Sequence, residues 1–189
     1  MKISKYEISL LSALIIFVQF FFLACDTSND DIPKSTIETR DTLIYKKGSQ
    51  VPYTGRERAL VDNKIIEYDV VDGLKHGEFR LYYESGNLEI KGQIDKNKNT
   101  GKWQYFYESG QTESEGNFVD NLPDGEWKWY YRSGELREQG IFKAGKRVGL
   151  WKSFDSTGNM VEEREISESD SINTGNDYLE KMKNNFNLK

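Results

Sequence analysis

The sequence predicts an all-β fold, an elongated single twisted antiparallel sheet of stacked 24-residue β-hairpin repeats. Three observations predict it. Glycines recur at intervals of 24 residues, which disfavours helix because each glycine costs about 1 kcal/mol in a helix interior. Aromatic residues recur in the same phase, and turn-forming residues bound segments of strand length. A repeat of this period is stronger evidence for the fold than any local sequence pattern, and it indicates units that stack on their neighbours.

Glycine defines three columns of the repeat. A leading glycine is followed after nine residues by a second, and in the first three full units after six more residues by a third. Counting the third position of the fourth unit, Arg164, the four units define twelve positions, of which eleven are glycine, in a chain of 189 residues with only 16 glycines. The first two columns are Gly77, Gly86, Gly101, Gly110, Gly125, Gly134, Gly149 and Gly158, and the third is Gly92, Gly116 and Gly140.

Aromatic residues define two further columns, two and five residues after the leading glycine. Because two and five differ in parity, the columns are predicted to lie on opposite faces of the sheet unless a bulge intervenes. The first would form the spine, and the second would be a partly exposed row for partner binding. The alternative is that twist and neighbouring side chains cover both faces. The spine column is Phe79, Trp103, Trp127 and Trp151, and the partner-binding column is Tyr82, Phe106, Tyr130 and Phe154.

Two kinds of turn alternate along the chain. The position four residues before each leading glycine is glycine or asparagine, which tolerate a left-handed backbone, so a turn with positive φ is predicted there. Within each unit an x-Ser-Gly or x-Thr-Gly loop joins the strands, either as a type I turn with a G1 bulge or as a two-residue turn. A two-residue turn would place the tryptophan column opposite the third glycine column.

The period also sets the domain boundaries. A repeat domain spans residues 42–166, with a degenerate unit at 53–76 and full units at 77–100, 101–124, 125–148 and 149–166. Residues 167–189 form a polar tail in which Tyr178, Met182 and Phe186 recur at every fourth position. That spacing predicts a short C-terminal helix, which either caps the last hairpin edge or frays.

The N-terminus is predicted to be a targeting segment. Two lysines precede an apolar run from Ile8 to Leu23, shorter than the roughly 20 residues of a membrane-spanning helix, and the run ends at Ala24-Cys25. The pattern resembles a bacterial lipoprotein signal peptide over residues 1–24, with lipidation of Cys25 and a flexible tether over 25–41. The alternative is an uncleaved signal anchor. The protein is therefore expected to be exported and anchored to a membrane of the cell envelope, with the choice of inner or outer membrane left open.

Composition argues against several function classes. A net charge of −5 is unfavourable for nucleic-acid binding. One cysteine and one histidine argue against a disulfide framework, His-based catalysis and a metal site, and His76 is expected in a surface turn. The carboxylates show no recurring acid–base pair. We therefore expect no catalytic residues, no metal and no cofactor.

These columns carry a family resemblance. The pattern Gly-x-Trp-x-x-Tyr-Tyr-x-x-Gly-x-Leu, closed by Phe142-Lys143-x-Gly145-x-x-x-Gly149, resembles the MORN repeat variant family from Leu43 to Ile166. The segments Tyr45–Ser49 and Pro52–Gly55 are similar to the entry sequence that precedes such repeats. The resemblance implies stacked β-hairpins in a bacterial protein, often a lipoprotein, and many members are labelled antitoxin-like.

The expected function follows from these features together. The preferred reading is a lipid-anchored, non-enzymatic protein-binding scaffold of the cell envelope, whose partner is a protein that the sequence does not identify. The alternative is an antitoxin-like protein that neutralises a partner toxin, although export would separate it from a cytoplasmic toxin. An aromatic row would also suit sugar rings.

Overall fold

The computed structural model describes residues 35–167, and these residues are all-β, as predicted. Cys25 and the segment predicted as a C-terminal helix lie outside the described residues. The strands are β1 Ile37–Arg40, β2 Leu43–Lys46, β3 Gly55–Val61, β4 Lys64–Val71, β5 Leu74–Tyr82, β6 Leu88–Asp95, β7 Lys98–Phe106, β8 Thr112–Val119, β9 Leu122–Tyr130, β10 Leu136–Lys143, β11 Lys146–Phe154 and β12 Met160–Ile166.

Strands β3 to β12 form one ten-stranded sheet in which each strand pairs with the strands before and after it in the chain. Every pair is antiparallel, so the sheet is a run of consecutive hairpins. It does not close, and β3 and β12 are its edges. The predicted single antiparallel sheet of hairpin repeats is therefore confirmed.

The loop within each unit contains three residues. In the second full unit Gly110 N donates to Tyr107 O and Tyr107 N donates to Gln111 O, both at 2.8 Å, and Gly110 has a φ of 92°. This is the hydrogen-bond pattern of a type I turn followed by a G1 bulge, one of the two loops that the sequence allowed. A second bulge, at Glu113, shifts the register, so that Trp103 still pairs with Gly116.

The turn between units is a two-residue turn with positive φ at both positions. Asp120 and Asn121 have φ values of 50° and 70°, which is typical of the type I′ turn. The Asn121 side-chain oxygen accepts a hydrogen bond of 2.7 Å from Asn99 N in the preceding turn region. The predicted positive φ is confirmed in all four units, at Gly73, Asn97, Asn121 and Gly145.

The leading glycines lie inside strands, at β-bulges. Gly101 has a φ of 62° within β7, where the register against β6 shifts between Lys91 and Gln93. The other leading glycines also have positive φ. Because a bulge bends its strand and increases the local twist, the repeated bulges curve the sheet at the same point in each unit.

Curvature explains how a single sheet buries its aromatic residues. Trp103 and Trp127 are only 2% and 1% exposed, although the ten-stranded sheet has no second sheet of comparable size within residues 35–167. The rings are covered by the strands that carry them and by rings of adjacent hairpins. We call this side of the sheet the core face.

A small hairpin of β1 and β2 covers the N-terminal end of the core face. Ile44 is 3% exposed, and its backbone N donates to Gly73 O at 2.8 Å. The prediction of a flexible tether over residues 25–41 is wrong for β1. Ile37 is the reason, because this apolar side chain packs against the core while its strand pairs with β2.

Candidate functional site

The candidate site is the side of the sheet opposite the core face, which we call the outer face. Phe106 lies three residues after Trp103 on β7 and is half-buried, whereas Trp103 is almost fully buried. The other three units repeat this difference between the two columns. The structure thus places all four predicted partner-binding residues, Tyr82, Phe106, Tyr130 and Phe154, as half-buried rings on the outer face.

Each tryptophan of the spine joins two hairpins. Trp127 lies on β9, and its ring covers Gly116 on β8, where a Cβ atom would stand 2.2 Å from Trp127 Cδ2. The Trp127 indole donates to Asn117 O at 3.1 Å, which satisfies its only polar group. Trp103 over Gly92 and Trp151 over Gly140 repeat the contact. The predicted pairing of tryptophan with glycine across its own hairpin is present for Trp103 and Trp127, but the ring covers the glycine of the preceding hairpin.

Further aromatic residues connect these rings into a continuous stack. Trp103 lies 5.5 Å from Phe79 and 5.7 Å from Phe118, and Phe118 lies 5.2 Å from Trp127, measured between ring centroids. The stack includes a column that the sequence analysis missed, four residues after the leading glycine. Its members are Leu81, Tyr105 and Trp129. The sequence could have indicated this column, because positions two and four residues after the leading glycine lie on the same face of a strand.

A column of tyrosines fixes the outer-face row from one side. Tyr107 OH donates to Tyr130 O of the next unit at 2.7 Å, and Tyr83 and Tyr131 bond Phe106 O and Phe154 O in the same way. Burial raises the pKa of Tyr83 to about 12, so the hydroxyl keeps its proton. Sequence reasoning missed this column, six residues after the leading glycine.

The last unit carries Asp155 in the tyrosine column. Its carboxylate accepts hydrogen bonds from the hydroxyl and the backbone N of Thr157 and from Asn159 N, at 2.7, 2.9 and 3.0 Å. These bonds, the one from the Thr157 hydroxyl foremost, hold the pKa of Asp155 at about 2. The carboxylate therefore stabilises its own turn instead of contacting another unit.

Polar side chains surround the outer-face rings. Tyr130 OH donates to Glu115 Oε1 at 3.2 Å, and the other oxygen of Glu115 receives Gln104 Nε2 at 3.2 Å and Lys102 Nζ at 2.9 Å. The Lys102 ammonium lowers the pKa of Glu115, and burial together with that carboxylate raises the pKa of Tyr130. Glu115 is therefore ionised and Tyr130 is neutral at ordinary pH.

The first units repeat this arrangement with arginines. Glu67 lies between Arg58 and Arg56, at 2.7 and 3.2 Å, and Tyr82 OH is 3.5 Å from the same carboxylate. Glu78 pairs with Arg80 on its own strand, β5, and with Lys91 on the neighbouring strand, β6. The outer face is thus a row of rings set among paired charges, an arrangement that can bind another surface by ring contact and hydrogen bonding.

The described residues contain few groups that catalysis or metal binding would use. His76 Nδ1 lies 3.1 Å from Asp95, and both side chains are at least half exposed. Within residues 35–167 no three histidine, cysteine or acidic side chains come together to hold a metal ion. The same residues contain no helix long and apolar enough to cross a membrane.

Comparisons with known proteins find similar solved structures and a matching family model. A search of the curated proteins finds no match. Among solved structures, the chain is similar to the Glycosylation Associate Protein (Gap123) complex from Streptococcus agalactiae, with 14% sequence identity and a TM-score of 0.36. The match covers 80% of this chain and 27% of that one, so the chain spans about a quarter of its length.

The family match falls on the hairpin repeats. The model of the MORN repeat variant matches four times, at residues 75–96, 99–120, 123–144 and 147–166. Each match begins two residues before a leading glycine and takes in both strands of one hairpin. Through these four repeats, residues 75–166 of the chain belong to the MORN repeat variant family.

Proposed function

We propose that this protein is a lipid-anchored, non-enzymatic scaffold of the bacterial cell envelope that binds a partner protein through its outer face. The observation that carries the proposal is the row of four half-buried rings, one in each full unit, at the same position of the repeat. No other strand of residues 35–167 packs across this row. MORN repeats suggest a binding or scaffold role.

The size and composition of the row suit a protein partner. Adjacent strands lie about 4.8 Å apart, so four hairpins place the outermost rings about 30 Å from each other. A surface of that length can supply the roughly 800 Å² that each partner contributes to a standard interface. Tyrosine and arginine are enriched in such interfaces, and both line this face, at Tyr82, Tyr130 and Arg80.

The paired charges hold the outer-face tyrosines in fixed orientations before a partner binds. Glu67 and Glu115 each accept hydrogen bonds from a cation and from a tyrosine hydroxyl, which fixes the orientation of that tyrosine. Fixed rings lose little side-chain entropy when a partner binds. The Lys102 ammonium lowers the pKa of Glu115, so this carboxylate is a poor proton donor for acid catalysis, which supports a non-enzymatic role.

Binding is tested with variants that separate the outer face from the spine. Tyr130→Ala and Phe106→Ala should leave the melting temperature near that of the wild type and weaken partner capture. Trp127→Ala, the spine control, should lower the free energy of unfolding by about 3–5 kcal/mol. Each variant is used to capture partners from envelope extract, and the partner found by mass spectrometry is then purified and titrated against all four proteins.

Two results would contradict the binding proposal. Tyr130→Ala could unfold the protein as severely as Trp127→Ala, which would make the row part of the core. Alternatively, the purified partner could bind Tyr130→Ala and Phe106→Ala as tightly as it binds the wild type. The contact surface would then lie elsewhere, for instance on the turns at Glu108–Gly110 and Arg132–Gly134.

Anchoring is tested separately. Cys25 lies directly after the apolar run and is the only cysteine of the chain. Mass spectrometry of the membrane fraction should show an acylated N-terminal peptide that begins at Cys25, and Cys25→Ser should release the protein from the membrane. A soluble full-length product that keeps residues 1–24 would rule out the anchor.

The resemblance to antitoxin-like proteins supports a second candidate, in which the captured partner is a toxin. The identity of the partner decides between the two. A toxin whose activity falls when the outer face binds it would favour neutralisation, and an envelope component without such activity would favour the scaffold. A toxin gene beside the gene of this protein would also favour neutralisation.

A further inference from the structure

The outer face becomes more apolar where the third full unit meets the fourth. The residue after the leading glycine is charged in the first three full units, at Glu78, Lys102 and Glu126, but is Leu150 in the fourth. The residue fifteen positions further is Gln93 and then Asn117 in the first two units, but Ile141 in the third. Leu150 and Ile141 lie on adjacent strands, β11 and β10, and are 39% and 47% exposed.

Two more apolar side chains, Phe154 and Met160, lie at the opposite end of β11 and on the adjacent strand β12. Met160 on β12 is 55% exposed and pairs with Phe154 on β11. We call these four residues, Ile141, Leu150, Phe154 and Met160, the terminal patch. The fold does not require Leu150 and Ile141 to be apolar, because earlier units have polar residues at the same positions. The four side chains form two apolar pairs on one open face, with the Lys152–Glu163 ion pair between them, and exposed apolar side chains at such positions mark a surface that something covers.

We propose that the C-terminal segment of this chain, residues 177–189, covers the terminal patch, including Phe154, and leaves Tyr82, Phe106 and Tyr130 as the rings that contact a partner. The chain leaves β12 at Ile166, which pairs with Gly149, next to Leu150. Ten residues, 167–176, separate this point from the segment and can extend to roughly 33 Å, so the segment reaches every part of the patch.

The spacing of apolar residues in the segment fits the patch. In a helix, Tyr178, Met182 and Phe186 lie on one side and extend over about 12 Å. On β11, Leu150 and Phe154 lie on the outer face four residues apart, a distance of about 13 Å in a strand. A helix laid along β11 therefore brings its first and last apolar side chains over the two ends of the patch.

The charges agree with this placement. Glu163 and Glu165 lie on the outer face of β12, Glu163 between the two ends of the patch and Glu165 opposite Leu150. Among the described contacts only Glu163 pairs with a cation, Lys152, at 3.2 Å. The segment contains Lys181, Lys183 and Lys189 against two acidic residues. Docking would therefore bring lysines to an acidic edge strand.

The test measures trypsin cleavage after Lys181 and Lys183 in the full chain. The patch variant, Ile141→Asn with Leu150→Glu, restores the residue types of earlier units, and it should be cleaved several-fold faster than the wild type. Asn117→Gln, in the same column as Ile141 but on β8, is the matched control and should leave the rate unchanged. Equal rates for the wild type and the patch variant would overturn the proposal.

A second variant leaves the sheet sequence intact. Replacing Tyr178, Met182 and Phe186 by serine should raise hydrogen exchange at the amides of β12, and adding the patch substitutions should raise it no further. The proposal would be overturned if the serine variant left hydrogen exchange of β12 unchanged. It would also be overturned if the serine and patch substitutions together raised exchange by the product of their separate effects. Protection that grows with protein concentration would also overturn it and would assign the patch to a second copy of the chain.

Discussion

At the scale of single residues, glycine serves two separate purposes in this repeat. Gly110 supplies a positive φ to a turn, with no other atom within 4 Å of the place where its Cβ would stand. Gly116 does not have a positive φ and is required because the Trp127 ring lies where a side chain would be. Each glycine of the third column is therefore required by the tryptophan of the following unit, whose ring packs over it.

We expect Gly116→Ala to destabilise the protein through the Trp127 ring. A Cβ at 2.2 Å from the ring forces ring or strand to move, and overpacking of this kind costs about 1–3 kcal/mol or more. Gly110→Ala, the control, should cost about 1–2 kcal/mol through backbone strain alone. Urea unfolding of each variant gives the free energies.

The ring contact itself is tested by a double-mutant cycle. In a protein that already has Trp127→Leu, Gly116→Ala should cost much less than in the wild type, because the ring is gone. The cost of Gly110→Ala should be the same in both backgrounds. Additive effects of Gly116→Ala and Trp127→Leu would show that the contact does not determine the glycine.

The sequence identified the residues of the spine and of the outer-face row, but not the groups that orient them. Columns are visible because the same residue type recurs in phase. The carboxylates that bond Tyr82 and Tyr130 come from the neighbouring strands β4 and β8, at Glu67 and Glu115. Such pairs depend on the register between strands, and the sequence analysis left that register open.

At the scale of elements, the turns were predictable and the bulges were not. Positive φ restricts the residue type, so Asn121 and Gly110 marked their turns in advance. The bulge at Glu113 can hold almost any residue, and the leading glycine at Gly101 gave no indication that it lies within a strand. Strand β1 was missed because Ile37 is its only large apolar residue.

The tyrosine hydroxyl bonds show why local patterns are insufficient. Tyr107 is recognisable from sequence as an aromatic residue beside a turn, but its acceptor is a backbone oxygen 23 residues away. Only the stacking of one hairpin on the next brings Tyr107 OH and Tyr130 O together. Residues of this kind are found by comparing units in three dimensions.

At the scale of the whole molecule, the stability of the sheet depends on contacts between neighbouring strands and hairpins. Each strand of β3 to β12 pairs with the strands adjacent in the chain, and each tryptophan bridges two successive hairpins. The free energy of unfolding should then be close to a sum of unit terms and interface terms. The period of the sequence made this architecture predictable without any knowledge of individual contacts.

Removal of one complete unit should therefore shorten the sheet without unfolding it. Deletion of residues 101–124 joins Thr100 to Gly125, keeps every column in phase and leaves eight strands in the sheet. We expect a β-sheet circular dichroism spectrum, a lower melting temperature and a smaller urea m-value, since less surface is exposed on unfolding.

Deletion of half a unit is the control. Removing residues 101–112 takes away one strand and its turn, so the later strands could keep antiparallel pairing only with their core face turned to the other side of the sheet. This variant should not fold cooperatively. If the 24-residue deletion unfolds as completely as the 12-residue one, the units are not equivalent and the nearest-neighbour description fails.

Asp155 leaves the fourth unit without the hydroxyl that would bond a further hairpin. Each earlier unit offers a tyrosine hydroxyl to the strand end of its successor, whereas the fourth offers a carboxylate already bound to its own turn. A fifth hairpin would present a carbonyl to a group that can only accept. Gene duplication that copies an internal unit would therefore keep every one of these hydrogen bonds, whereas a copy added behind the fourth unit would lack one unless Asp155 were also replaced by tyrosine.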